Sequence, residues 1–415
     1  MQALNGEDRY AAFRHRSYAR YFTSRFSTAF ATQILSVAVG WQIYDQTQNA
    51  ALLGWIGLVQ FLPALLLVVI TGMAADKLGR RFIMGVSILL EMACALTILA
   101  LALSGNFRPV LVLATLTAFG VARAFHTPAS SSLIVNIVPK EDFANAVGWS
   151  TSAWQLASVF GPVAGGLLYG FSGPFAYAVA ACVYGLAAYC IFSIAKPEQV
   201  IHKEETSFKT VTGGFAHIWK QKIVLGAISL DLFAVMLAGA VALLPIYARD
   251  ILQVGEVGLG LLRAAPGIGA IAMIMLLTAF PIKDHAGIIL FVTVALFGIS
   301  TAIFGSSTIV WVSIIALIGV GAFDMISVYI REILLQLWTP DYVRGRVNAV
   351  NSIFLGASNE LGEFRAGFMA AAYGAVFTVT AGGVAAVGVA AIWAKAFPSI
   401  RKTRQLTPPD EPHND

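Results

Sequence analysis

The sequence predicts an all-α polytopic membrane protein with twelve transmembrane helices in two parallel six-helix repeats, and three observations carry that prediction. Hydrophobic residues make up 58% of the 415 positions and charged residues 12%, about half the charge of a soluble domain. The charges are spaced so that apolar stretches of roughly 20 residues remain, enough to cross a hydrocarbon core of about 30 Å as helices; the short alternating strands of a membrane barrel are not evident. Residues also recur at one constant offset: Gly57 and Pro63 return as Gly260 and Pro266, and Asn145-Ala146-Val147 returns as Asn348-Ala349-Val350. With six spans in each half, the repeats share one orientation and are related by an axis along the membrane normal.

The first residues are polar, with Glu7, Asp8, Arg9, Arg14 and Arg16, and lack an apolar core followed by a small-residue cleavage site, so no cleaved signal peptide is expected. Spans are expected at 20–44, 51–75, 82–104, 109–136, 143–170 and 174–195, which make an N-terminal half of residues 1–195. A polar connection, 196–222, reads as a cytoplasmic central loop. The C-terminal half, 223–397, holds spans at 223–248, 257–280, 286–305, 308–333, 346–373 and 375–397, and residues 398–415 form a tail. An even number of spans puts both termini on one side. Lys and Arg crowd that side before Tyr21, at Lys77, Arg80 and Arg81, from Lys196 to Lys222 and after Ala394, whereas Arg108 and Arg249 lie on the other. By the positive-inside rule both termini are cytoplasmic, in a multi-pass protein of the inner (cytoplasmic) membrane.

Cys94, Cys182 and Cys190 sit inside apolar runs and read as small buried hydrophobes, with no disulfide framework or metal site. The net charge of +5 follows from topology, so no nucleic-acid partner is expected. Gly382, Gly383 and Gly388 lie in an apolar span with no following Lys-Ser or Lys-Thr, which argues against a nucleotide loop. No nucleophile, base and orienter set is visible. The chain is not read as an enzyme and no cofactor is expected.

Between spans two and three, Gly72 through Arg81 places Asp76, Lys77, Arg80 and Arg81 together with Gly72 and Gly79 between two apolar runs, a tight water-exposed turn. Gly72 lets helices approach and Gly79 permits a backbone conformation costly to other residues. Asp76 can hold the positive N-terminal end of another helix; the cations alone would also fix topology. In span five, Gly161-Pro162 breaks the helical hydrogen-bond ladder, because proline lacks an amide hydrogen, and Gly165 and Gly166 allow close packing, giving either a bend between halves or dense packing alone.

An ionisable group deep in a span costs roughly 2.5–3.5 kcal/mol on insertion scales and normally faces a cavity or a partner. By position the deep ones are Glu91, Arg123, Asp231, Asp324, Glu360 and Glu363. Glu360 and Glu363 share a helix face, continued by Asn359, Ser352, Asn351 and Asn348. Two acids this close favour proton uptake by one of them, the chemistry of proton or cation coupling; Asp231 and Asp324 are further coupling candidates, and a static network with Arg365 is the bland reading. Arg123 reads as anion or polar-group recognition in the first half, or as structural, and Glu91 as a satisfied structural acid. Thr28, Thr32 and Ser36 in span one, and Asn145, Ser152 and Gln155 in span five, form polar faces expected to line a substrate cavity. Trp41, Tyr44, Trp149 and Trp154 offer stacking surfaces or interfacial anchors.

Two parallel six-helix halves, a basic central loop and Gly72-x-x-x-Asp76-x-x-Gly79-Arg80-Arg81 together resemble the major facilitator superfamily, over nearly the whole chain. Gly161-Pro162-x-x-Gly165-Gly166 is similar to that superfamily's antiporter-associated signature. Pro340-Asp341-Tyr342-Val343-Arg344-Gly345-Arg346-Val347 and Asn359-Glu360-Leu361-Gly362-Glu363 resemble the branch with enterobactin exporters and macrolide-efflux proteins. The resemblance implies a secondary transporter, proton-coupled and exporting an amphiphilic drug- or siderophore-like molecule by alternating access. An uncoupled facilitator or importer of a polar or lipid-like solute is the alternative. It also implies that the Asp76 turn is a cytoplasmic gate; the first turn of span eleven, with Arg344 and Arg346, is the expected partner. The matching turn of the second half, Pro281 to Gly287, keeps Lys283 and Asp284 but lacks paired arginines, so the two latches are expected to be unequal. The partners expected are a small-molecule substrate, protons and the lipid bilayer, with the chain acting as a monomer.

Overall fold

The computed structural model describes residues 9–105, 107–196, 215, 218–219, 221–282 and 284–403. Among them are twelve long helices and no strand: α1 (Arg16–Thr47), α2 (Ala50–Lys77), α3 (Arg80–Leu103), α4 (Pro109–Ile137), α5 (Phe143–Phe171), α6 (Gly173–Phe192), α7 (Lys222–Ile251), α8 (Gly255–Ala279), α9 (Ala286–Ser306), α10 (Val310–Leu337), α11 (Asp341–Tyr373) and α12 (Ala375–Ala396). A short α13 (Pro398–Lys402) follows. The junctions are written in the sequence. Prolines open α4, α6 and α13, where the missing amide hydrogen would be unbonded anyway. Gly79 before α3 and Gly374 before α12 take φ values of 87° and 85°, a region glycine enters freely.

Nine of these helices are long and apolar enough to cross a membrane. The three that fall short, α1, α5 and α11, carry the polar faces picked out above. Such faces are tolerated at membrane depth when they look onto protein or water instead of lipid.

The chain forms two compact units. Unit one comprises residues 1–46, 59–206 and 255–264, and unit two residues 47–58, 207–254 and 265–415. Thus α2 and α8 each begin in one unit and continue in the other.

In unit one, α3 packs along α4 and α6. Buried hydroxyls tie α1 to its neighbours: Tyr18 donates to the Ala146 carbonyl (2.7 Å), Tyr21 to that of Ser130 (2.9 Å) and Ser24 to that of Ala187 (2.9 Å), while Tyr177 donates to Gln42 Oε1 (2.6 Å). With no water in hydrocarbon, such groups must find protein partners. At the turn between α2 and α3, Arg80 Nη1 donates to the Ser132 carbonyl (3.0 Å) and to Asn136 Oδ1 (2.7 Å), both in the last turns of α4. Arg81 donates to the carbonyls of Ile191 (3.2 Å) and Phe192 at the end of α6. Both arginines therefore cap the negative C-terminal ends of helices in their own unit.

In unit two, α9 packs along α12 and α10, and α7 against α11 and α12. Close approach of α9 and α12 depends on small residues: a Cβ added to Gly383 would stand 2.5 Å from the Gly298 carbonyl oxygen. Leu230, Phe291, Val294, Leu334 and Val389 fill the core between these helices. Expected as one uninterrupted span, α7 instead breaks after Ala238. Gly239 turns out of the helix (φ −50°, ψ 101°), a 3-10 turn covers Val241–Leu243, and a π-turn covers Tyr247–Ile251. Arg365 of α11 attends to the break, its Nε and Nη2 donating to the carbonyls of Met236 (3.1 Å) and Leu237 (2.5 Å).

Candidate functional site

A cavity of about 210 Å³ lies inside unit two, beside the break in α7. Its polar lining comes from four helices: Asp231 on α7, Thr301 on α9, Asp324 and Arg331 on α10, and Asn359 and Glu363 on α11, with Gly239 and Ala240 of the broken segment at its wall. Irregular backbone at membrane depth is tolerated where it lines such a space. Asp231 (6% exposed) forms an ion pair with Arg331 (1% exposed). Removing either partner alone would leave a buried charge, at a cost of about 3–5 kcal/mol. Asp324 and Arg331 are seven residues apart on α10 and so share a face of that helix. The cavity thus brings three acids to one cation, an excess of negative charge suited to a proton or a cationic group.

Asp231, Asp324, Glu363 and Asn359 were legible as candidates; Arg331 was not, because position along a span is a poor guide to depth. Its spacing from Asp324 was the available signal. Asn351 (5% exposed) donates to Glu332 Oε1 (3.1 Å). Asn348 is half-buried, and its carbonyl accepts from Ser352 (3.0 Å).

Glu360 and Glu363 meet a glycine of α2. A Cβ placed on Gly57 would lie 2.6 Å from Glu360 Oε2 and 3.2 Å from Glu363 Oε2, so both carboxylates converge on this gap in the side-chain surface. The two helices approach closely here: a Cβ on Gly367 would stand 2.6 Å from the Gly54 amide nitrogen, and Trp55 packs edge-on against Phe364 and Phe368. Arg365 directs its guanidinium to the α7 carbonyls and to Met369 Sδ.

In unit one the residues of the expected cavity wall have diverse partners. Thr32 bonds the Thr28 carbonyl (2.8 Å) and Tyr184 Oη (2.9 Å), while Thr28 is 6% exposed and Ser36 receives a hydrogen bond from Arg263 Nη2 (2.7 Å). Arg123 Nη1 stands 3.5 Å from Gln60 Oε1. Asn145 holds the N-terminal segment, accepting from the Ala12 amide (3.3 Å) and donating to the Arg9 carbonyl (2.9 Å), and Trp149 donates to that same carbonyl (2.9 Å) while stacking on Tyr10. Ser152 is exposed and bonds the Gly148 carbonyl (3.0 Å), Gln155 is half-buried, and Trp154 is 45% exposed.

The α5 motif packs on two helices. Cβ atoms on Gly161 and Gly165 would come within 2.5 Å of Gln33 Cβ and 3.0 Å of Ile34 Cα on α1. One on Gly166 would stand 2.4 Å from the Glu256 carbonyl oxygen and 3.2 Å from Gly260 Cα on α8, and one on Gly260 would stand 2.5 Å from the Pro162 carbonyl oxygen. Of the expected gate, Gly79, Arg80 and Arg81 are as described above, and the surroundings of Gly72 and the Asp76 side chain lie outside what the structure describes. Helix α11 begins at Asp341, five residues before the expected start, so Arg344 and Arg346 both stand in its first turns; Arg344 is half-buried and donates to the Thr339 carbonyl (3.3 Å), and Arg346 is exposed. Among the described residues no His, Cys, Asp and Glu group could hold a metal ion.

Residues 7–412 match a family model described as transmembrane secretion effector. The enterobactin exporter EntS of Shigella boydii is 23% identical over 414 residues, 97% of this chain and 96% of that protein. The multidrug resistance protein MdtG of Salmonella arizonae is 26% identical over 351 residues, 81% of this chain and 84% of that one. Macrolide efflux protein A of Streptococcus pyogenes is 28% identical over 138 residues, and the chain spans only 34% of that relative's length and 33% of its own. Among solved structures, an inward-facing, occupied bacterial homologue of the human lysosomal transporter Spinster superposes with a TM-score of 0.73 at 14% identity, over 94% of this chain and 97% of that one. A D-xylose–proton symporter superposes with a TM-score of 0.69 at 14% identity, over 93% and 99%. These two show the shared twelve-helix fold.

Proposed function

Because the chain belongs to the transmembrane secretion effector family of the major facilitator superfamily, multi-pass membrane transporters of small molecules, we propose that it exports an amphiphilic, drug- or siderophore-like compound in exchange for protons by alternating access. The observation that carries this reading is the convergence of Glu360 Oε2 and Glu363 Oε2 on Gly57, at one end of a polar stripe on α11. Two carboxylates so close repel when both are ionised, and one proton between them removes the repulsion. Substrate and proton can then compete for one helix face. The Asp231, Asp324 and Arg331 cavity supports the same reading, since it gathers further acids against α11. Relatives named as an enterobactin exporter, a multidrug resistance protein and a macrolide efflux protein support the outward direction. In this reading the N-terminal half, 1–195, recognises polar or anionic groups through Arg123. The C-terminal half, 223–397, couples. Both termini, with the 196–222 loop, face the cytoplasm of the inner membrane, and one chain is the working unit.

Purified protein in liposomes with an imposed pH gradient tests it, using a macrolide and enterobactin as first probes. The wild type should accumulate a probe against its gradient, and Glu360→Gln with Glu363→Gln should abolish that accumulation while the protein stays folded. Full gradient-driven accumulation in the double variant would overturn the coupling assignment. Wild-type transport indifferent to the pH gradient would mark an uncoupled facilitator instead.

A further inference from the structure

The coupling groups assigned above lie in unit two, yet unit one holds a buried acid and a histidine that no step has used. Glu91 on α3 is 1% exposed, and its Oε1 stands 3.6 Å from Nδ1 of His126 on α4, whose side chain is 13% exposed. That separation exceeds a hydrogen bond. Glu91 Oε2 and His126 Nδ1 are both buried without a hydrogen-bond partner, an arrangement that normally destabilises a fold, the more so for a charged group.

The surroundings do not fill the gap. From α4, Arg123 is the cation within electrostatic reach of both groups, and its Nη1 faces Gln60. From α1, Arg25 acts on His126 but is bonded to Ser130 and to the Ser150 carbonyl. From α6, the Tyr184 hydroxyl is engaged with Thr32 of α1, and Cys94 lies one turn along α3 from Glu91. A polar pair at membrane depth with an open donor and acceptor position between them is the geometry of a site for one hydrogen ion.

We propose that Glu91 and His126 form a second proton-binding site, in unit one, holding one shared proton between Glu91 Oε1 and His126 Nδ1. The proton forms an N–H or O–H bond on one partner and a hydrogen bond to the other, so a closure of less than an ångström gives His126 Nδ1 its partner and neutralises the Glu91 carboxylate. His126, the partner with exposed surface, is the point of entry, and Glu91 is the interior terminus. The site is separate from the α11 acids and does not require them to be the coupling groups.

The test counts protons released by purified full-length protein on a jump from acidic to mildly alkaline pH in weak buffer, read with a pH-sensitive dye. Glu91→Gln should release one proton fewer per molecule than the wild type, and should do so equally in the Glu360→Gln, Glu363→Gln background. Glu91→Asp should restore the count. An infrared carbonyl band of a protonated buried carboxyl should be present in the wild type at low pH, absent in Glu91→Gln and shifted in His126→Gln. If Glu91→Gln does not fold, as judged by its thermal transition, the infrared band of His126→Gln carries the test. An unchanged proton count in a folded Glu91→Gln variant, or an unshifted band in a folded His126→Gln variant, would overturn the site.

Discussion

Two helix seams occupy equivalent places in the internal repeat and are built from opposite materials. The offset that relates Gly57 to Gly260 also relates Ala157 and Phe160 of α5 to Glu360 and Glu363 of α11. In unit one, Gly260 of α8 lies against α5, where added Cβ atoms would meet the Pro162 carbonyl oxygen and the Val163 Cα; that contact is backbone on backbone. In unit two, Gly57 of α2 lies against α11, where an added Cβ would meet the ends of two carboxylate side chains. The shared geometry comes from glycine. The difference lies in what each glycine faces: a neutral surface that cannot change its charge, or one that changes with each proton. Duplicated architecture can thus carry titratable chemistry on one side alone.

The largest expected effect comes from overfilling the neutral seam. Gly260→Leu or Gly166→Leu should destabilise the protein by about 1–3 kcal/mol or more, since the opposing atoms are backbone and cannot step aside; thermal unfolding and monodispersity in detergent measure this, and a wild-type transition would dissolve the contrast. Next, Gly57→Ala should leave thermal stability within about 1 kcal/mol, because the nearest atom, Glu360 Oε2, ends a flexible side chain, yet it should alter gradient-driven transport by displacing that carboxylate. Transport indistinguishable from the wild type would show that the position of the acids is unimportant. Trp55→Phe should leave transport closer to the wild type than Gly57→Ala does, because it keeps an aromatic contact with Phe364 and Phe368, and should cost on the order of 0.5–1.5 kcal/mol or less by thermal unfolding. Smallest is Arg346→Gln: this exposed residue should shift stability by no more than about 0.5 kcal/mol, so a marked transport defect there would point to the cytoplasmic gate.

The long apolar segments announced the helices, since hydrocarbon leaves a polar backbone few alternatives, and the repeat of Gly57 and Pro63 as Gly260 and Pro266 was visible as letters. The deep acids were legible for the same reason: a charge inside a twenty-residue apolar run stands out. What did not show was any feature that depends on the third dimension without changing composition. Gly239 and Ala240 break α7 inside an apolar run where glycine is ordinary. Arg331 reads as a residue near a span end until Asp231 is found beside it. Glu91 reads as satisfied until its second oxygen is followed to a space with no donor. Asn145 and Trp149, polar and aromatic residues on a face expected to meet substrate, hold residues 9–12 of the chain. Arg80 and Arg81, legible as topological charges, also cap α4 and α6.

The interruption of α7 has a mechanical side. A continuous helix transmits an axial push, but a helix parted at Gly239 carries a joint. Arg365 grips the carbonyls on one flank of that joint, and Gly362, one turn earlier on α11, lies close to Gly239 itself. A rotation of α11 would therefore bear on α7 at this joint, through the Met236 and Leu237 carbonyls and the Gly239–Gly362 approach.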